Sequence, residues 1–268
     1  MRVAAFRNEI KGVAFISPWL LGFLLFMMLP LLSSLYYAFS DFDIVSPPTW
    51  VGLRNFRELL RDDTFHLAMF NTFYFLAASI PVMLIGSTLI AVGIESCPRR
   101  WRGFLTSSVF FPSLVPVVAA SMIFLLLFNV EYGYLNRFLG FFGIPAFDWL
   151  VDPRFTKWSV IIGSVWGLGG AVVINLAALR EIPKALYEAV ELDGAGPVMR
   201  FLHVTLPLIT PALFFHLTMG LIAGIQLFAL PYILFGPYGS TERSALFAIP
   251  YIYETAFSFQ EFGYACAM

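Results

Sequence analysis

The chain has 268 residues, a length that suits one or two soluble domains, yet 59% of them are apolar and only 12% are charged. A soluble domain carries about 25% charged residues, and a mean hydropathy of +0.81 leaves too little polar surface to be wetted. The solvent for most of this chain is therefore lipid. A net charge of −1 gives no global field for nucleic acid, and the two cysteines, Cys97 and Cys266, suggest neither a disulfide framework nor a zinc site.

A spanning helix needs about 20 mostly apolar residues, and five stretches meet that length: about 13–39, 67–94, 104–129, 158–179 and 204–235. The first follows Arg2, Arg7 and Lys11, as a secretion signal would. Its apolar run is much longer than a signal core and has no convincing small-residue cleavage site, so it is predicted to remain as a helix. Pro18, Pro30, Pro81, Pro112, Pro116, Pro211 and Pro231 fall inside the spans. Each removes a backbone donor and can kink its helix. Residues 244–262 are less apolar and hold Glu254, Gln260 and Glu261, which predicts an interfacial helix.

With the N-terminus in the cytoplasm, the inner segments (about 1–12, 95–103 and 180–203) hold Arg2, Arg7, Lys11, Arg99, Arg100, Arg102, Arg180, Lys184 and Arg200. The outer segments (about 40–66, 130–157 and 236–262) hold Arg54, Arg57, Arg61, Arg137, Arg154, Lys157 and Arg243 and are roughly twice as long. Basic density therefore places the N-terminus inside.

The stretch 181–203, between the fourth and fifth spans, has the pattern of a helical knob. Pro183 suits a first helical turn. Ala185, Leu186, Ala189 and Leu192 recur at helical spacing, with Lys184, Glu188 and Glu191 interleaved. Asp193-Gly194 ends that helix, and a second short amphipathic piece at 197–203 leads into the next span.

Glu188-Ala189, then Gly194, then Leu206-Pro207 resemble the EAA loop of ABC-importer permeases: EAA, three residues, G, nine residues, I, one residue, LP. Val190 and Val204 depart from that pattern as small apolar swaps. SPWLLGFLLFMMLPLLSSLYYAFSDFD, VGLRNFRELL, NTFYF, FDWLVDPRF and YIYETAF extend the resemblance over nearly the whole chain, to the MalF/UgpA-type subunit of the carbohydrate-uptake branch. The resemblance implies an all-α, multi-pass membrane protein of the type I importer core, here with five full spans and the start of a sixth near residue 263. In that family the core has six helices, so the chain is expected to be truncated or partly represented after GYACAM.

The partners so implied are a sister permease, two ATPase subunits and an external solute-binding protein. ATP and Mg would sit on the ATPases, and this chain would bind no cofactor. Glu188, Asp193 and Arg200 would be polar contacts to the ATPase. Ala189, Gly194 and Ala195 would allow close approach, and Leu206 and Pro207 complete the motif. Closure of the ATPases would then drive alternating access, a switch between two packings.

Polar side chains inside spans tend to face a cavity or a partner helix. Asn71, Ser121, His216 and Tyr232 are candidates, and Trp166, Asn175 and Gln226 are the set chosen for a solute pathway. No GxxxxGK[ST] loop is present, and His66, His203 and His216 lack metal-site spacing. The expected function is import of a sugar or sugar-like solute through a bacterial or archaeal inner membrane. A polyol phosphate such as glycerol phosphate is the alternative. A membrane enzyme would need convergent ionisable residues near one membrane face, which are not found, and a stand-alone carrier would not need an EAA loop.

Overall fold

The computed structural model describes residues 2–268, with side chains from Gly12 onward. The basic residues Arg2, Arg7 and Lys11 lie outside the described side chains. In chain order the elements are α1 (Arg2–Phe23), a π-helical turn (Leu24–Met28), α2 (Leu29–Ala38), the strand pair β1 (Ser40–Asp41) and β2 (Thr49–Trp50), α3 (Arg54–Leu59) and α4 (Asp63–Ser96). Next come α5 (Arg99–Phe110), a 3-10 turn (Phe111–Leu114), α6 (Val117–Leu127), α7 (Tyr134–Gly140), α8 (Thr156–Val165) and α9 (Gly169–Glu181). The remainder is α10 (Lys184–Leu192), α11 (Pro197–Arg200), a second π turn (Phe201–Thr205), α12 (Leu206–Ile225), α13 (Ala229–Phe235), α14 (Ala248–Phe257) and α15 (Phe262–Ala267).

Among the described residues, three helical segments are long and apolar enough to cross a membrane: Gly12–Ala38, Asp63–Ser96 and Pro197–Ile225. Two bent pairs bring the number to as many as five. Arg99–Leu114 meets Val117–Leu127 at 94°, and Thr156–Val165 meets Gly169–Glu181 at 47°. Three of the five stretches expected from the sequence are thus single long helices, and the other two are bent pairs. The sharper bend falls at Pro112 and Pro116, where the missing donors and the extended Val115 and Pro116 end one helix before the next begins. The fifth stretch ends at Ile225 rather than near 235, because Gln226–Phe228 leave the helix and α13 starts anew.

Proline also explains the two π turns. Each ends two residues before a proline, Pro30 or Pro207, and closes with an i→i−5 bond, Leu29 N–H to Leu24 O and Leu206 N–H to Phe201 O. Widening the turn makes room for a ring that would otherwise strike the carbonyl four residues earlier.

The chain forms two compact units, one of residues up to Asp63 with Ile252–Met268, the other Thr64–Tyr251. In the first, α15 packs on α2 and α3, and Asn55 ties the loop together by donating to the carbonyls of Ala38 and Ser40 at 3.0 and 2.9 Å. α15 begins at Phe262, close to the expected start of a sixth span. Residues 244–262 are only partly at a surface: Tyr253 and residues 257–261 are exposed. Ser244–Ala248, Glu254, Thr255 and Ala256 are buried.

The second unit holds two apolar clusters. One gathers Phe75, Leu76, Phe124, Phe128, Trp149, Val160 and Leu230. The other gathers Ala91, Ile94, Val172, Leu176, Leu179, Ile182, Val204 and Ile209, and lies beneath the 183–205 loop. α5 and α9 approach at Gly169, where a Cβ would stand 2.3 Å from the Val109 carbonyl oxygen, so only glycine permits the contact.

Candidate functional site

The 183–205 loop is two short helices on an anchored base. Pro183, extended at φ −60° and ψ 129°, breaks α9 from α10. Gly194 takes φ +76°, a left-handed conformation suited to glycine, and turns the chain toward α11. Ala195 N–H closes the turn on the Val190 carbonyl at 3.2 Å.

The anchoring face is the one carrying Tyr187 and Val190, both packed on the cluster below. The Tyr187 hydroxyl and Thr205 Oγ1 are hydrogen-bonded at 3.0 Å. The stripe read from periodicity, Ala185, Leu186, Ala189 and Leu192, is instead exposed, with Leu192 90% and Val198 70% accessible. This overturns the simplest reading of an amphipathic helix, in which the apolar stripe meets its own core. Here the stripe is left uncovered by this chain.

Glu188, Ala189, Asp193, Gly194 and Pro207 are exposed, and Ala195 and Leu206 are half-buried. Arg200 points back into the loop. It pairs with Glu191 at 3.5 Å, and its guanidinium lies 5.8 Å from the Tyr187 ring centroid. The two departures from the EAA pattern sit on the inner side: Val190 packs on the cluster and Val204 is 7% exposed. Both are packing swaps that leave the exposed face unchanged. A cavity of about 540 Å³ opens between the loop and the helix ends beneath it, lined among others by Glu95, Arg180, Lys184, Tyr187, Arg200 and Thr205.

The three residues chosen for a solute pathway are in two kinds of place. Trp166 is exposed at the α8–α9 bend, edge-on to Phe124 at 5.7 Å, and Gln226 is exposed at the end of α12. Asn175 is fully buried and donates to Ser87 Oγ at 3.1 Å and Thr88 Oγ1 at 3.4 Å, a helix-packing arrangement between α9 and α4. Sequence reasoning missed Glu95, which joins three helix ends beneath the loop. Its spacing from Arg102 and Arg180 carries no local signal.

Long apolar helices, two of them bent pairs, define a helical membrane protein. Residues 87–267 match the binding-protein-dependent transport system inner membrane component family, and the chain belongs to that family. It is a multi-pass transport component of the inner membrane, not an enzyme. It is 34% identical to the probable ABC transporter permease YesP of Bacillus subtilis (strain 168), over 98% of this chain and 85% of that one. It is 29% identical to the arabinooligosaccharides transport permease AraP of the same organism, over 95% and 81%. A crystal structure of a bacterial ABC transporter involved in alginate import contains a chain that superposes with a TM-score of 0.86 at 23% identity, covering 100% of this chain and 91% of its own.

Proposed function

We propose that this chain is one of two different permease subunits in an ATP-driven importer for a saccharide. Five spans and the start of a sixth form its single permease domain, and the N-terminus lies in the cytoplasm. The cytoplasmic 181–203 loop is the coupling element. Two ATPase subunits, which carry the ATP and Mg, dock on it, and an external binding protein delivers the solute. A saccharide rather than a polyol phosphate accords with the oligosaccharide named for AraP. Trp166 and Gln226, exposed at breaks in their spans, are the better pathway candidates, and Asn175 joins α9 to α4.

The observation that carries the coupling role is the uncovered stripe of α10. Leu192 and Val198 stand open on a loop whose opposite face is firmly packed. A water-exposed apolar knob on a rigid base is what a groove on a partner would take up. Glu188 and Asp193 add polar contacts beside it, and Gly194 allows close approach. The test is Gly194→Asp. No atom lies within 4 Å of a Cβ built there, and at φ +76° aspartate, one of the residues that visit this conformation, adds about 1 kcal/mol of backbone strain. Membrane levels should stay normal while co-purification of the ATPase and solute uptake are both lost. Retention of both would end the coupling reading. Labelling of Leu192→Cys by an impermeant maleimide in inverted vesicles alone, with Cys97 and Cys266 replaced by Ser, would support the orientation.

A further inference from the structure

One carboxylate beneath the loop is shared by three helices. Glu95, in the last turn of α4, takes Arg102 of α5 on one oxygen. Its other oxygen accepts from Arg180 Nε, in the last turn of α9, at 3.0 Å. Arg102 is itself oriented, donating from Nε to the Cys97 carbonyl at 2.9 Å. Arg180 stands three residues before Pro183. Between them lies Ile182, extended at φ −69° and ψ 122°. The junction from α9 to α10 is therefore two extended residues, which can bend where a helix cannot.

Stability is a poor account of this arrangement. Arg180 is 52% exposed, and such a pair contributes at most about 1 kcal/mol. The helix ends are already held by Leu179 and Ile182 packing with Ala91 and Ile94. Apolar packing of that kind has no preferred direction and tolerates sliding. The two ion pairs do have direction, and Glu95 and Arg180 both line the cavity between the loop and the helix ends. We propose that Glu95 is a positioning residue for coupling: it ties the end of α9, where the loop begins, to α4 and α5, so that the three helix ends move together when the loop pulls on α9 through Ile182-Pro183. This rests on the coupling role proposed above.

The test uses the whole complex in proteoliposomes, with uptake and ATP hydrolysis measured on the same preparation. Glu95→Gln keeps the shape and removes the charge that both arginines share. ATP hydrolysis should stay within about twofold of the native complex, while solute imported per ATP falls about tenfold, a size seen for residues along coupling networks. Arg180→Gln alone should lower the ratio too, and the Glu95→Gln/Arg180→Gln double variant should be no worse than Glu95→Gln, because the pair acts as a unit. ATPase co-purification should be intact, which separates this variant from Gly194→Asp. Unchanged uptake would overturn the proposal, as would additive losses in the double variant or a proportional fall of uptake, hydrolysis and complex yield.

Discussion

Two long connections in the Thr64–Tyr251 unit are anchored in different ways. The 129–155 connection closes on itself at its base. Asn136 donates to the Phe147 carbonyl at 2.9 Å, and its oxygen accepts from Phe147 N–H at 3.2 Å and Trp149 Nε1 at 2.9 Å. Phe147, Trp149 and Phe155 pack edge-on and tilted against one another, while Tyr134, Phe138, Phe141 and Phe142 stay exposed. The 183–205 loop is anchored by Tyr187 and Val190 but exposes Leu192 and Val198. A connection that satisfies its own groups has its energy in the fold. Apolar groups left open, as on both connections, keep that energy for lipid or a partner.

The contrast can be broken most forcefully at Asn136. Asn136→Ala leaves the Phe147 backbone and the Trp149 indole without their partner in a buried site, at a cost of about 3 kcal/mol. Thermal unfolding of the detergent-solubilised chain should show it. A variant as stable as the native chain would mean that the aromatic stack alone holds this connection. Leu192→Asp should do the reverse. At 90% exposure its stability effect should stay within about 0.5 kcal/mol, while ATPase affinity falls about tenfold on removing a well-seated apolar contact. Matching losses of stability and affinity would erase the distinction between the two loops.

The smallest effect concerns acid. The Arg154 side chain and backbone N–H hold the Asp152 carboxyl below its ordinary 3.8. A lowered value in the folded state stabilises above the unfolded value and is lost as pH falls through the folded one. The protection factor at 152–156, exchange corrected for its intrinsic pH dependence, should therefore be flat above about pH 4 and fall below it, and Asp152→Asn should remove that fall. The 183–205 loop should show no matching step at Asp152's titration. An acid response of equal size in both loops would show that it is global unfolding.

The spans and the loop were largely legible, because apolar run length and glycine-proline punctuation are local signals. Val115-Pro116 announced a break, though not one of 94°. The end of the fifth span was misplaced because Leu227, Phe228 and Leu230 are as apolar as the helix before them; hydropathy reads solvent, and the solvent does not change there. Asn175 looked like a pathway residue because a polar group in a span must face something polar. Only the packed structure supplied Ser87 and Thr88, nearly 90 positions away.

The loop itself divides in the same manner. Sequence alone determined that a helix would start after Pro183, stop at Gly194 and carry an apolar stripe, since these follow from backbone restrictions and a 3.6-residue period. Tertiary structure decided that Tyr187 and Val190 would face inward and the stripe outward, and that Glu95 would receive Arg102 and Arg180. A helical period sets the angle between side chains on one helix. Which neighbour covers which face depends on groups brought together from distant parts of the chain, and that is settled only when the helices pack.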